Sequence, residues 1–437
     1  MSRVNWPFMR TETPTIVRAE GVYLYTDDGR AILDAAGGAI VANIGHGRAR
    51  VAERVAAVTR DCTYVVPPWV TPSRRSLSEA LSRDWLPPRL GRIHITSGGS
   101  EAVEAAVKMA LQYQAAIGQP QRRKIVSRSV SYHGTTFTTT ALSGHPARKR
   151  GLEHALNSYP SVPTPYPLRC PLGAHHPDAG RYYVQILRET IEREGPQTIA
   201  AVIAEPITGS SGGAIVPPDG YWPGVRQLCD EHGLLLILDE VMTGFGRTGK
   251  NFGYQHWDIE PDILVAGKGL AGGYAPIGGV YTTEAVGEAL QNAGMGVMFH
   301  TFGAHPAACA AATEVLAILV EEGLVERAAR QGERLRARLA DAFDQHPHVA
   351  EVRGRGLLQA IEVVQDRETL APFPEAALVS NRIVGHALGN GVFFYGGGTG
   401  EVRDIVCMGP PFTLEDEHID TMVSALVQAV DEVTAAP

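Results

Sequence analysis

The chain has 437 residues, which is long for one domain and predicts two units of unequal size. Hydrophobic residues make up 44% and charged residues 20%, as in an ordinary globular protein. A net charge of −8 with no basic stripe argues against a nucleic-acid partner. We expect a cytoplasmic protein without a membrane partner. The five scattered cysteines fit reduced thiols. We expect neither a signal peptide nor a membrane span, because residues 1–15 lack an apolar core and no apolar run approaches membrane-spanning length.

The predicted elements begin with a hairpin, because residues 21–38 alternate apolar and polar side chains around an Asp-Gly pair. From about residue 58 to residue 322, helical patterns alternate with short β-rich runs, which predicts an α/β domain on a mostly parallel sheet. Residues 311–343 predict long helices with a break near Gly323. Further β-rich runs after this point predict strands of a smaller α+β unit. The runs before it are RIHITSG, KIVSRSVSY, IAAVIAEP, LLLILDEV, DILVAGKG and IGGVYTT, and those after it are GRGLLQAIEVV and GVFFYGGG.

One motif imitates a nucleotide site. GFGRTGKN, residues 244–251, fits the G-x-x-x-x-G-K part of a P-loop. However, Asn251 stands where the loop needs Ser or Thr, and the residues that follow do not predict the helix that a P-loop opens. We therefore expect no nucleotide hydrolysis. CPLGAHHPD, residues 170–178, has irregular ligand spacing and no second cluster, so we expect no metal either.

Two charged residues stand at the ends of predicted strands. Asp239 ends the apolar run GLLLILD, and Lys268 ends the next run, DILVAGKG. Open α/β sheets place ligand-contacting groups at such carboxyl ends. A capping aspartate or a simple salt bridge remains an alternative. A cofactor with a basic ring nitrogen and an aldehyde would use both groups, because the carboxylate keeps the nitrogen protonated and the lysine forms an imine. Pyridoxal phosphate has that layout.

The chain also contains a candidate phosphate site and candidate ring supports. ITSGGSEAVEAAVKMA, residues 95–110, predicts a strand, a glycine turn and a helix that begins near Ser100, where free N–H groups and a hydroxyl suit an anion. SVSYHGTT places Tyr132 and His133 at another strand end, where either ring could lie against a planar group. Ordinary helix capping and core packing are the alternatives.

Nine blocks along nearly the whole chain carry a resemblance to a known family. In order and spacing they resemble the class III aminotransferases, the ω-aminotransferase group of fold-type I pyridoxal phosphate enzymes. The blocks are GRAILDAAGGAIVANIGHG, TSGGSEAVEAAVKMA, YHGTT, AEPITGSSGG, LILDEVMTGFGRTGK, PDILVAGKGLAGGYAPIGG, HTFGAHPAACAAA, RGRGLLQAIEV and GPPFTLEDEHID.

The resemblance implies a fold and a reaction. It implies a large cofactor-binding domain over residues 58–325 with a mostly parallel central sheet. A smaller α+β domain is then formed by residues 1–57 and 326–437. It further implies ping-pong transfer of an amino group through a Lys268 Schiff base, with pyridoxal 5′-phosphate as cofactor. The donor would be an ω-amino compound, an amine or an amino acid, and the acceptor pyruvate or 2-oxoglutarate. A related aminomutase, racemase or decarboxylase is the alternative. A third hypothesis is a non-enzymatic cofactor-binding or regulatory protein, or a nucleotide-binding protein that uses GFGRTGK.

The resemblance also implies roles for single residues. Lys268 and Asp239 are the catalytic pair. Thr301 resembles a residue that reaches the phosphate bound by a neighbouring subunit, which implies a homodimer with active sites at the interface. The remaining cofactor-binding residues are Gly99 and Ser100 for the phosphate, Tyr132, His133 and Val241 around the ring, and Glu205 beside it.

Substrate residues are less clearly encoded. Relatives that act on amino acids often carry a carboxylate-binding Arg shortly before the GPPF segment. Cys407 stands near that position here, and Arg403 lies further upstream. Arg403 is therefore either a carboxylate binder or an ordinary surface residue. Trp69, with Trp6 and Phe8, is a candidate wall of the substrate pocket.

Overall fold

The computed structural model describes residues 14–296, 299–400 and 402–435. Within these ranges the strands form three sheets, and helices pack against them. Trp6 and Phe8, two of the predicted pocket walls, lie outside the described residues. No helix in the described part of the chain is both long and apolar enough to cross a membrane.

The strands follow the β-rich runs of the sequence. All six runs predicted between residues 58 and 322 form strands, and so do the two runs after them. In chain order the strands are β1 (Ile16–Glu20), β2 (Tyr23–Thr26), β3 (Ala31–Asp34), β4 (Arg92–Thr96), β5 (Lys124–Arg128), β6 (Ser161–Val162), β7 (Ile199–Ala204), β8 (Leu235–Asp239), β9 (Ile263–Ala266), β10 (Gly278–Thr282), β11 (Val349–Arg355), β12 (Leu358–Val363), β13 (Val392–Phe393), β14 (Tyr395–Thr399) and β15 (Val402–Met408).

The helices lie between these strands and at the C-terminal end. They are α1 (Gly37–Ile40), α2 (Ala49–Asp61), α3 (Pro72–Ala80), α4 (Gly99–Ala116), α5 (Phe137–Leu142), α6 (Pro146–Lys149), α7 (Ala179–Glu194), α8 (Tyr221–His232), α9 (Glu284–Asn292), α10 (Pro306–Glu321), α11 (Leu324–Phe343), α12 (Val379–Gly389) and α13 (Asp416–Ala435). Gly323, with φ 58°, separates α10 from α11, which confirms the predicted break.

The central sheet has the strand order β4-β10-β9-β8-β7-β5-β6. The pairs from β9 to β6 are parallel, as predicted, whereas β10 runs antiparallel to both β4 and β9. Every residue of β7, β8 and β9 is buried, which agrees with strands covered on both faces. The fold is therefore the expected α/β type with a mostly parallel central sheet.

Both ends of the chain contribute to the smaller sheets. The predicted hairpin forms β2 and β3, and β3 pairs in parallel with β13 near the C-terminus. Strands β11, β12, β15 and β14 form an antiparallel sheet beside it. This arrangement confirms a small α+β unit drawn from both chain ends. The boundaries after residues 57 and 325 stay predictions.

Helix α4 crosses the central sheet and fixes the edge where the site lies. Its alanine-rich face, including Ala106, packs with Ile237 of β8, Val265 of β9 and Val280 of β10 in one buried cluster. Small side chains on this face let the helix lie close to the sheet. Because β7, β8 and β9 are parallel neighbours, the residues that follow them emerge at the same edge.

Candidate active site

Asp239, the last residue of β8, is held by two contacts. Its Oδ2 lies 2.8 Å from Nδ1 of His133, and its Oδ1 accepts a 3.1 Å hydrogen bond from the backbone N–H of Val241. Its side chain is only 4% exposed. Nε2 of His133 is buried without a hydrogen-bond partner among the described residues. The carboxylate is therefore fixed in direction, as a partner for a charged ring nitrogen must be.

Lys268 follows β9 at the same sheet edge. It begins a short 3₁₀ turn, Lys268–Leu270, with the unusual φ of 39°. Burial lowers the pKa of its ammonium below the ordinary value. The charges of Asp239 and Glu205 oppose this shift, and the charge of Arg247 adds to it. The site thus favours an amine that can lose its proton and act as a nucleophile.

The turn around Lys268 depends on Asn43, which the sequence analysis did not single out. Its Nδ2 donates a 2.8 Å hydrogen bond to the carbonyl oxygen of Gly269. Gly272 has φ 56°, and a Cβ there would lie 2.4 Å from Oδ1 of Asn43. Glycine is therefore required at Gly272 by both conformation and space. A polar residue inside the apolar block AIVANIGHG was the available sequence signal for Asn43.

An anion cradle lies at the first turn of α4. No side chain caps the helix at Gly98, so backbone N–H groups of its first turn are free to face a ligand. Oγ of Ser100 accepts a 3.2 Å hydrogen bond from the backbone N–H of Thr135. A Cβ on Gly134 would lie 2.6 Å from that Oγ, so the backbone passes directly beside it. This concave surface fits a phosphate group.

Glu205, which follows β7, is the third titratable group at this edge. Its carboxylate accepts hydrogen bonds from the backbone N–H groups of Gly209 and Tyr132, at 3.0 and 3.3 Å. Burial raises its pKa to about 7, the charge of Asp239 adds to the rise, and His133 opposes it. Glu205 therefore changes its charge near neutral pH.

These groups enclose one cavity of about 210 Å³. All eight predicted cofactor residues other than Thr301 line it, whereas Ser210, Met242 and Gly134 are lining residues that the sequence analysis missed. The lining residues are Gly99, Ser100, Tyr132, His133, Gly134, Glu205, Ser210, Asp239, Val241, Met242 and Lys268. An amine, a fixed carboxylate, the aromatic ring of Tyr132, the apolar side chain of Val241 and an anion cradle in one cavity fit pyridoxal phosphate.

Three predicted residues lie outside this cavity within one chain. Thr301 is exposed, and its carbonyl oxygen accepts a 3.0 Å hydrogen bond from the hydroxyl of Tyr64. Trp69 is 66% exposed. Arg403 donates from Nε and Nη2 to the carbonyl oxygen of Phe373, at 3.1 and 2.7 Å. The roles of these residues stay predictions.

The other two motifs have different surroundings. After Lys250 the chain enters a short 3₁₀ turn, Gly253–His256, rather than an α-helix. In the segment of residues 170–178, Cys170 is buried and Nε2 of His175 lies 3.5 Å from Oε1 of Glu351. Within the described ranges, no group of three or more His, Cys, Asp or Glu side chains could hold a metal ion.

Comparison with known proteins identifies the family. The sequence matches the family described as aminotransferase class III over residues 9–430. The chain therefore belongs to the class III aminotransferases, as the sequence blocks predicted.

Individual relatives agree over nearly the full length. The taurine–pyruvate aminotransferase of Rhodobacter capsulatus is 36% identical over 439 residues, 98% of this chain and 94% of that protein. The putrescine–pyruvate aminotransferase of Pseudomonas aeruginosa is 33% identical over 425 residues, 96% of this chain and 91% of that protein. An amine transaminase from an uncultivated Pseudomonas species, solved in its pyridoxal phosphate-bound form, gives a TM-score of 0.93 at 36% identity and covers 99% of both chains. These matches confirm the predicted fold and enzyme class, and they support transamination rather than the aminomutase, racemase or decarboxylase alternative.

Proposed function

We propose that this aminotransferase binds pyridoxal 5′-phosphate in the cavity around Lys268. The proposed reaction transfers an amino group from an amine, ω-amino compound or amino acid to pyruvate or 2-oxoglutarate. The observation that carries the proposal is the position of Lys268. Its amine, with a lowered pKa, lines the same cavity as Asp239 and the open first turn of α4.

Each part of the cavity suits one part of the cofactor. Asp239 would hold the ring nitrogen, and its contact with His133 keeps the carboxylate oriented. The free N–H groups at the start of α4, with Ser100, would hold the phosphate. Tyr132 and Val241 would cover the two faces of the ring, and Lys268 would bind the aldehyde carbon.

The chemistry then divides between cofactor and protein. When bound, the cofactor draws electrons from the reacting carbon of the donor and carries the amino group to the acceptor. Lys268 would move the proton: its neutral Nζ would accept it from the donor carbon and deliver it to the cofactor carbon C4′, and with the acceptor it would carry a proton from C4′ to the acceptor carbon. Burial supports this role because it favours the uncharged amine.

The substrate assignment rests on the relatives. The named enzymes include taurine–pyruvate, putrescine–pyruvate and diaminobutyrate–2-oxoglutarate aminotransferases, which supports both acceptors proposed here. Arg403 remains the proposed carboxylate binder. It would have to exchange its contacts with the carbonyl oxygen of Phe373 for the substrate.

An exposed apolar surface supports a homodimer. Tyr64, Trp69, Val70 and Phe302, which we call the Phe302 patch, are all exposed. Arg74 connects the two loops that carry the patch. Its Nε donates a hydrogen bond to the carbonyl oxygen of Ala304 at 2.6 Å, and its Nη1 donates one to the carbonyl oxygen of Val66 at 3.0 Å. Apolar surfaces of this kind mark interfaces. We propose that two chains pair here and that Thr301 reaches the phosphate bound by the neighbouring subunit.

A cytoplasmic location is proposed as well. All five cysteines of the chain are free thiols and four of them are buried, which fits a reducing compartment.

A donor and acceptor screen on protein loaded with the cofactor tests the function. We expect amino transfer to pyruvate or 2-oxoglutarate by the unchanged enzyme. Lys268→Ala should abolish turnover, because no other side chain replaces its amine. Lys108→Ala, which removes an exposed lysine on α4, is the matched control and should keep full activity. Full turnover by Lys268→Ala would refute the proposal, as would consumption of a single substrate without any acceptor.

A further inference from the structure

A second cavity, of about 510 Å³, lies beside the sequence G-R-T-G-K. Its walls are residues 248–250, one face of α11 and the turn between β11 and β12. It shares no lining residue with the cavity around Lys268. Its volume falls within the range of small-molecule sites, roughly 300–1,000 Å³. We call it the Lys250 cleft.

The Lys250 cleft is lined by an excess of positive charge. Lys250, Arg336 and Arg355 are exposed around it, and Glu333 is the only carboxylate among the described lining residues. Arg336 lies 3.9 Å from Glu333, an exposed pair of little strength. Within the described ranges, no carboxylate lies within ion-pair distance of Lys250 or Arg355. In a chain with a net charge of −8, three such cations around one cleft favour an anionic ligand.

A histidine, His256, lines the cleft together with these cations. Nε2 of His256 lies 3.1 Å from Oγ1 of Thr248 inside the cleft. Burial is the main cause that lowers the pKa of His256 to about 4, and the charges of Arg355 and Lys250 lower it further. His256 lines the same cleft as both cations.

Closely packed backbone forms the floor of the cleft. A Cβ on Gly356, which has φ 53°, would lie 2.4 Å from the carbonyl carbon of Thr248. A Cβ on Gly332 would lie 2.1 Å from the carbonyl oxygen of Gly356. Contacts this close leave α11, the β11–β12 turn and residues 248–250 little room to shift against each other. The cleft is a built feature of the fold.

Gln359 provides a second, independent sign of a ligand. It lines the cleft and is only 1% exposed. Its Nε2 donates a 2.8 Å hydrogen bond to the carbonyl oxygen of Gly356, whereas its Oε1 has no partner among the described residues. A buried acceptor without a partner is energetically unfavourable. A ligand that carries a hydroxyl group would satisfy it.

We propose that the Lys250 cleft binds a phosphate group, either as free phosphate or as part of a small organic phosphate. Lys250, Arg336 and Arg355 match the charge and the several acceptor oxygens of a phosphate. A hydroxyl group, present on hydrogen phosphate and on sugar or nucleoside phosphates, donates to Oε1 of Gln359. The P-loop-like sequence thus contributes to an anion site without the helix, metal ligand or hydrolysis of a P-loop.

Calorimetric titration of the cofactor-loaded enzyme tests the proposal, because the cofactor occupies the other phosphate cradle. Inorganic phosphate and adenosine 5′-monophosphate are the probes, added separately. We expect Lys250→Ala and Arg355→Ala each to raise the Kd about tenfold or more, since each removes a charged hydrogen-bond donor. Arg338→Ala is the matched control, because Arg338 is an exposed arginine on the same helix as Arg336 but outside the cleft. This control should leave the Kd unchanged.

Both probes have informative outcomes. Tighter binding of the nucleotide supports an organic phosphate, and equal binding supports free phosphate. The proposal is overturned if neither probe binds at millimolar concentration. It is also overturned if Arg338→Ala weakens binding as much as Lys250→Ala does. Thermal unfolding and transaminase turnover should stay unchanged in all three variants, so a lost titration signal reports on the cleft alone.

Discussion

At the scale of single residues, the site depends on Asp239 and Lys268, whose surroundings act on them differently. The side chain of Asp239 is held in one orientation by His133 and by the backbone N–H of Val241. Lys268 is surrounded so that its ammonium form is disfavoured. One cavity therefore combines a carboxyl group of fixed orientation with an amine whose proton is weakly held.

Glu205 gives a pH dependence of stability. Its pKa is about 7 in the folded protein, against an ordinary value of 4.5. Between these two pH values Glu205 therefore keeps its proton in the folded protein and has lost it in the unfolded chain. The stabilisation is present below pH 4.5 and is lost as the pH rises through about 7. Urea unfolding of the cofactor-free enzyme measures the free energy of unfolding at each pH. Between about pH 5 and pH 8 this free energy should fall by roughly 3 kcal/mol less in Glu205→Gln than in the unchanged enzyme.

The unchanged enzyme must be compared with Glu205→Gln, because a second buried carboxyl group also contributes to the pH dependence. Burial also raises the pKa of Glu240 to about 7. Because Glu240 is present in both proteins, the difference between them isolates Glu205. Identical pH profiles for the two proteins would contradict the assignment.

Sequence reasoning found the site residues that directly follow strands of the central sheet. It missed the site residues that lie on loops distant in sequence. Lys268, Asp239 and Glu205 could be placed because parallel strands end at one edge. Ser210 could not be placed, and Asn43 stood out only as a polar residue in an apolar block, since no local pattern shows which distant loop will close over that edge. Arg403 could be named but not placed, because the partner it binds, the carbonyl oxygen of Phe373, has no sequence signal.

At the scale of elements, the contact between β10 and the turn before α4 supports the proposed phosphate cradle. A Cβ on Gly278 would lie 2.5 Å from the carbonyl oxygen of Gly98 and 2.7 Å from Oγ1 of Thr96. The strand therefore touches the turn without space for a methyl group. The position of the first turn of α4 depends on this contact.

Gly278→Ala should displace the cradle. We expect it to destabilise the protein by about 1–3 kcal/mol, as overpacking does, and to raise the Kd of the cofactor. Thermal unfolding measures the change in stability. A titration followed by the visible absorbance of the bound cofactor measures the Kd. Gly385→Ala in α12 is the control, because a Cβ there meets nothing within 4 Å. Unchanged cofactor affinity in Gly278→Ala would show that the contact does not position the cradle.

Elements were well predicted, and their directions were less so. The six strand runs and the break at Gly323 followed from apolar runs and glycine. The antiparallel direction of β10 did not, because a strand buried on both faces has the same pattern in either direction.

At the scale of the whole molecule, both chain ends meet in one sheet and the Phe302 patch lies open. The β3–β13 pairing joins segments separated by most of the chain. Exposure of the patch follows only from the assembled fold, since its residues come from two loops far apart in sequence. Sequence reasoning could assign Thr301 to an interface only by resemblance.

Phe302→Asp should weaken the proposed dimer. Phe302 is 62% exposed in one chain, so a charge there is tolerated by the monomer and opposed at an apolar interface. We expect the dimer Kd to rise about 30-fold or more, as for an interface hot spot. Sedimentation measures the Kd, and retention of the cofactor should fall with it. Val320→Asp is the control on another exposed surface. A fully dimeric Phe302→Asp enzyme that retains its cofactor would contradict the assignment of the patch.

The central claim is that Lys268 moves the proton at the reacting carbon of the donor. Hydrogen–deuterium exchange at that carbon, followed by NMR in D₂O with saturating cofactor and no acceptor, measures this step directly. The account predicts exchange by the unchanged enzyme and none by Lys268→Ala over the same time. Exchange by Lys268→Ala at the rate of the unchanged enzyme would show that another group carries the proton.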